Sequence, residues 1–227
     1  MNRAPAPVAA GPALSLCVAL TTACLLAPAL VRAQQLAITD VTTIDPASAE
    51  VRPGRTVLIE NGKIASISTD LPSGAAPERV VDGSGRYLIP GLWDMHVHLD
   101  MHNDSDLAML VANGVLNVRD MGGDPFVLAD LKRRTASGEL VGPTIRGAGA
   151  ILEDRRWLTR VRKIFPDFAH RLPVDNPAEA RATVALLASW GVDLVKIRNV
   201  AGQATLAAIL EAAAEHGLTV AGHEPRS

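Results

Sequence analysis

The alternation of apolar and polar positions divides the chain into three stretches with different rhythms. Residues 13–31 (ALSLCVALTTACLLAPALV) are apolar or small without a break. After them, Leu36–Ile44 and Thr56–Glu60 read as strands rich in β-branched residues. Asn61-Gly62 then joins Thr56–Glu60 to Lys63–Ser68, and Asn-Gly between two such runs predicts a hairpin. Arg79–Asp82 and Arg86–Ile89 predict two short extended stretches around Asp82-Gly83-Ser84-Gly85. No helical periodicity occurs within residues 36–88.

From Pro90 onward, short apolar strands alternate with helical patterns. Strands are predicted at Gly91–His98, Val115–Asp120, Thr144–Ala148, Val192–Arg198 and Thr219–His223. Helices are predicted at Asp106–Asn113, Pro125–Ser137, Pro177–Trp190 and Gln203–His216. Asn176 is placed to cap a helix that begins with Pro177 and carries Glu179 in its first turn. Gly114, Gly191 and Gly217 follow helices as left-handed stops. Such alternation implies an α/β fold with parallel strands and right-handed crossovers. Residues 151–174 interrupt it with a polar, basic, proline-containing excursion of the kind that covers active sites.

The first stretch reads as a secretory signal peptide, residues 1–33. Arg3 is the sole charge before Arg32, and Val31 and Ala33 are small residues suited to cleavage after Ala33. A membrane anchor is the alternative, because the run nearly reaches spanning length, but Pro28 and the cleavage-like end favour removal. A lipoprotein at Cys24 fits less well, since Thr21 stands where a large aliphatic residue is wanted. The expected location is secreted or periplasmic, with no stable membrane insertion after cleavage. Both cysteines, Cys17 and Cys24, fall in this segment, so a mature chain has neither disulfides nor thiolate ligands. With 227 residues, 48% hydrophobic and 20% charged, the chain has enough apolar surface for a core. A net charge of −2 and 3% aromatics argue against nucleic acid or an anionic membrane as partners.

Three positions carry candidate chemistry. His96 and His98 (GLWDMHVHLD, 91–100) are two apart on a strand, so they share a face at its C-terminal end. Two neutral imidazoles at that spacing reach one divalent ion; a hydrogen-bonded pair at the core edge is the alternative. Lys196 sits in the apolar strand VDLVKIR (192–198), where an unpaired ammonium is costly. It is either a salt-bridged core residue or an amine that has captured carbon dioxide as a metal-bridging carbamate. His223 closes LTVAGHE (218–224). Arg155, Arg156, Arg160, Arg162 and Lys163 form a basic run that either binds a substrate carboxylate or is a solvated charged loop.

This set, in this order, resembles the metal-dependent amidohydrolase superfamily, in its imidazolonepropionase-like and prolidase-like branch. LIPGLWDMHVHL (88–99) is similar to the family's Pro-Gly-x-x-Asp-x-His-x-His entry into the first barrel strand, and VLNVRDMGG (115–123) to its second strand and glycine turn. VLIENGKIASI (57–67) and VVDGSGRYLIPGL (80–92) are similar to its N-terminal β-sandwich half. The resemblance implies a small β-sandwich half-domain at 34–88, followed at 89–227 by an incomplete (β/α)8, TIM-like barrel with about five of eight strands. It implies His96, His98, Lys196 and His223 as ligands of one or two Zn²⁺ or other divalent ions, with Lys196 carbamylated. The family's next metal-binding histidine and its general acid/base aspartate belong to later strands, and the aspartate is expected beyond residue 227; His102, His216, Asp120 and Asp193 are poor substitutes. The implied reaction is hydrolysis of a carbon–nitrogen bond in a small amide, cyclic amide or dipeptide by metal-activated water. Alternatives are a non-catalytic metal-binding remnant and one part of a split enzyme. The chain is thus expected to be truncated after its fifth strand, with open edges that favour a homo-oligomer or a complementing chain.

Overall fold

In the computed structural model, residues 35–165, 170–200 and 202–223 are described. The predicted signal peptide lies outside them. They fall into two compact units that meet in the sequence between Leu88 and Ile89.

The first unit is a single mixed sheet of β1 (Gln35–Asp45), β2 (Glu50–Glu60), β3 (Lys63–Ser68), β4 (Arg79–Asp82) and β5 (Tyr87–Leu88). The order is β3-β2-β1-β4, with β5 also paired to β1. The hairpin at Asn61-Gly62 forms as predicted, both residues having positive φ (51° and 74°), the conformation that matches strand twist. β2 begins six residues earlier than expected, since bulges let the β1–β2 ladder run on past Pro53. Gly83 is needed where the chain folds back on β1: a Cβ there would lie 2.7 Å from the Val41 side chain and 2.8 Å from the Thr39 carbonyl. Ala37, Val41, Val57 and Leu58 are buried. Among the described residues this is one sheet; the second layer of a sandwich is not among them.

The second unit contains β6 (Leu92–Val97), α1 (Asp104–Ala112), β7 (Val115–Asp120), α2 (Pro125–Ser137), β8 (Thr144–Gly147), β9 (Ile151–Glu153), α3 (Arg155–Arg162), β10 (Arg171–Pro173), α4 (Pro177–Ser189), β11 (Leu194–Asn199), α5 (Gln203–Glu215) and β12 (Thr219–Gly222). All strand pairs are parallel, in two sheets ordered β6-β7-β8 and β10-β9-β11-β12. Asp193 stitches the sheets together: its amide donates to the Gly147 carbonyl (2.9 Å), and its carboxylate accepts from the Gly147 amide (2.8 Å). Asn176 caps α4 by accepting from the Glu179 amide (2.9 Å), while Gly114, Gly191 and Gly217 have positive φ.

The excursion at 151–174 needs correction. It is not an irregular loop but β9, α3 and β10, so seven parallel segments stand where five were expected. Three-residue strands are too short to show periodicity, and the Arg-rich surface of α3 hides its one buried anchor, Leu158. Closure into one barrel does not occur among the described residues.

The strands present two distinct faces. Val195 and Ile197 of β11 pack with Val184 and Leu187 of α4 and Ile209 of α5 in the largest core. Leu194, on the opposite face, joins Met121 and Ala148, with Ala221 against them. Lys196 and Arg198 share that second face by the two-residue period.

Candidate functional site

The C-terminal ends of β6, β11 and β12 bring the predicted residues into one neighbourhood. The rings of His96 and His98 meet edge-on, with centroids 5.5 Å apart and planes at 63°. His96 is held by its own strand, its amide donating to the Asp94 carboxylate (3.0 Å). His98 stands one residue beyond β6, and its Nδ1 lies 2.6 Å from the Gly122 carbonyl. A carbonyl only accepts, so Nδ1 carries a proton and, in the neutral ring, Nε2 keeps its lone pair. His223, just past β12, is fixed by its amide donating to the Ile197 carbonyl (3.2 Å).

Lys196 is only 3% exposed. Burial, and then the charges of Arg119, Arg198 and Arg171, push its amine pKa below the ordinary lysine value. No hydrogen bond or ion pair to its Nζ occurs among the described residues, so the salt-bridged reading finds no support. His96 and His223 both have lowered pKa values: desolvation of the ring comes first, then the charge of Lys196. His96 also acts electrostatically on His223. All four are thus linked electrostatically, Lys196 and His98 acting on His96 and Lys196 and His96 on His223, and the two shifted imidazoles are held toward their neutral, lone-pair-bearing form.

They do not make a closed coordination sphere. Among the described residues, no group of three or more His, Cys, Asp or Glu side chains is set to hold a metal ion. The chemistry of the donor set nevertheless fits a divalent ion: His96 and His223 turned toward neutrality, and His98 donating through Nδ1 to a backbone carbonyl, beside an amine that burial drives toward its neutral form.

Other acids nearby are committed. Asp120, 1% exposed, accepts from the Leu99 and Gly122 amides (2.7 and 2.8 Å), which ties β6 to β7. Burial raises its pKa against those two hydrogen bonds. Asp193 is bound to Lys132 and Arg146. His102 pairs with Asp106 (3.2 Å), and His216 caps α5. A cleft of about 660 Å³ beside α1, lined by Val97, Leu99, Leu107 and Leu110, includes none of the four candidate residues.

Sequence reasoning missed the polar group alongside. Glu153 at the end of β9 is fully buried, bonded by Arg171 (3.0 Å) and Asn199 (2.7 Å). Arg198 lies over the Trp157 ring, 4.4 Å from its centroid. The one available signal was the i, i+2 spacing of Lys196 and Arg198. Of the basic run, Arg155 binds Asp175 and Glu179, and Arg162 donates to the Arg171 carbonyl.

No family model matches the chain. It is 27% identical over 171 residues to an adenine deaminase of Rubrobacter xylanophilus, which covers 73% of this chain and 26% of that protein. An imidazolonepropionase of Ralstonia nicotianae is 46% identical over 52 residues, 22% of this chain and 12% of the relative. The solved structure of a Xaa-Pro dipeptidase with bound methionine shares the fold, with TM-score 0.65 and 24% identity over 83% of this chain and 56% of the other. The chain thus spans about a quarter of the adenine deaminase and about half of the dipeptidase. These relatives indicate the amidohydrolase superfamily, whose members are enzymes and generally metal-dependent. The named relatives are hydrolases of carbon–nitrogen bonds.

Proposed function

We propose that this chain carries the metal-binding half of a zinc-dependent hydrolase that cleaves a carbon–nitrogen bond in a small amide or dipeptide. The observation that carries the reading is the edge-on meeting of His96 and His98, with Lys196 and His223 in electrostatic reach, all at the C-terminal ends of β6, β11 and β12. His96 and His98 would hold one ion, through Nε2 of His98, and His223 a second. Lys196 would join them as a carbamate. Its neutral amine adds to carbon dioxide, forming an N–C bond and releasing one proton. Arg119, Arg198 and Arg171 oppose an ammonium at that position and attract an anion there, so they favour the product. Bound zinc supplies Lewis acidity and a water acidic enough to ionise near neutral pH. The strand ends hold the imidazoles in place, and Gly122 keeps the His98 proton on Nδ1. No proton-transfer role is assigned to Asp94, Asp120 or Asp193, each of which is bonded elsewhere. The composition of residues 1–33 supports export of the protein.

The test is zinc content and zinc titration of the purified chain against the His96→Ala/His98→Ala double variant. The parent is expected to bind zinc and the variant to lose it; equal zinc in both overturns the site. Hydrolysis of a dipeptide and N-acyl amino acid library then tests the reaction.

A further inference from the structure

The charge of Arg198 favours the carbamate, but its pairing with Trp157 is not used by the metal site. Trp157 is presented by α3, where its amide donates to the capping Asp154 (2.8 Å) and Leu158 beside it is buried. Arg198 lies over the indole with its guanidinium carbon 4.4 Å from the ring centroid. The nearby buried carboxylate, Glu153, attracts Arg198 electrostatically but gives its hydrogen bonds to Arg171 and Asn199. Among the described residues Arg198 has no hydrogen-bonded acceptor and no ion pair.

A guanidinium on an aromatic shelf keeps its N–H edge free and gives up little hydration, which suits a planar, bidentate anion. Its place is also specific. Arg198 follows Lys196 by two residues toward the strand end and lies within electrostatic reach of His223. An anion on that edge would lie beside the candidate metal ligands, inside the second unit.

We propose that Arg198, stacked on Trp157, is the specificity residue that binds a carboxylate of the substrate. The substrates are then amides that bear a free carboxylate, such as N-acyl amino acids or dipeptides, rather than neutral amides. This rests on the hydrolase reading for the word substrate, but the anion site is testable without turnover. It also moves anion recognition away from the exposed basic run at 155–163, whose Arg155 is already paired.

The experiment titrates the zinc-loaded full chain with N-acetyl-alanine, N-acetyl-methionine and N-acetyl-proline, and with the carboxamide twin of each, by calorimetry and tryptophan fluorescence. Charge-assisted bonding predicts acid forms at least about tenfold tighter than their amides. It also predicts a fluorescence change that Trp157→Phe abolishes. Arg198→Met should erase the acid preference while retaining circular dichroism and melting temperature, and Arg198→Lys should recover part of it. Equal binding of acids and amides, no binding of either, or an acid preference that survives in Arg198→Met overturns the proposal. Turnover without acid–amide discrimination sinks this inference alone. Acid-selective binding lost with Arg198 but without hydrolysis supports it and counts against the hydrolase reading.

Discussion

Gly122 shows how much one position can hold. Its φ is +124°, and a Cβ there would lie 2.2 Å from Cγ1 of Ile151. Its carbonyl orients His98, and its amide donates to buried Asp120. Gly122→Ala therefore combines backbone strain with a clash, and should cost about 2 kcal/mol or more of unfolding free energy. Chemical denaturation measures that loss, and zinc affinity should fall with it because the His98 ring loses its stop. Asp120→Asn tests the neighbouring clamp. The carboxylate serves two amides, one per oxygen, whereas an amide side chain has one acceptor oxygen. One of Leu99 N and Gly122 N is left facing an NH₂ group, at a cost of about 1–3 kcal/mol. A melting temperature equal to the parent's would refute this account of the clamp.

Between elements, Asp193 is the most informative contact. It precedes β11, yet its partners are Lys132 on α2 (2.6 Å), Arg146 on β8 (3.0 Å) and the Gly147 amide (2.8 Å). Burial alone would raise its pKa; the Lys132, Gly147 and Arg146 bonds outweigh it and hold the carboxyl below 3.8. The unfolded chain takes up the proton first on acidification, near the ordinary aspartate value of about 3.9. The stabilisation from this contact is therefore complete above that pH and is lost as pH falls through the folded pKa. Asp193→Asn should be less stable than the parent by about 2 kcal/mol at pH 7. That gap should stay flat down to pH 5 and shrink below pH 4. Urea unfolding of both proteins across pH 3–7 checks it, and a gap that widens in acid would refute the sign. The sequence ranges for α2, α4 and α5 were nearly right because capping residues and glycine stops are local signals. The partners of Asp193 were not readable, because Lys132 lies 61 positions away and nothing local pairs them.

For the whole molecule, β6 and β12 end their sheets among the described residues. β6 also exposes Leu92, Trp93 and Met95 at 47–49%. Unpaired backbone beside exposed apolar side chains is a pairing template for another chain. The isolated chain should therefore associate with rising concentration, and Trp93→Lys/Met95→Lys should reduce that association. Sedimentation velocity distinguishes the two, and a concentration-independent monomer for the parent would refute it.

What the sequence alone determined was local and periodic. Alternation in period two and helical period, caps, glycine stops and the Asn61-Gly62 turn set most elements, and spacing put His96 with His98 on one strand face. Family resemblance drew Lys196 and His223 into the same set. Only tertiary structure decided what surrounds them. It set the charges of three guanidinium groups against a buried lysine, gave His98 its backbone acceptor at Gly122, and brought Trp157 under Arg198 from a segment that read as a loop. Apart from Arg198, two positions from Lys196, those relations join residues some tens of positions apart, and parallel crossover connections leave no trace in any short window of sequence.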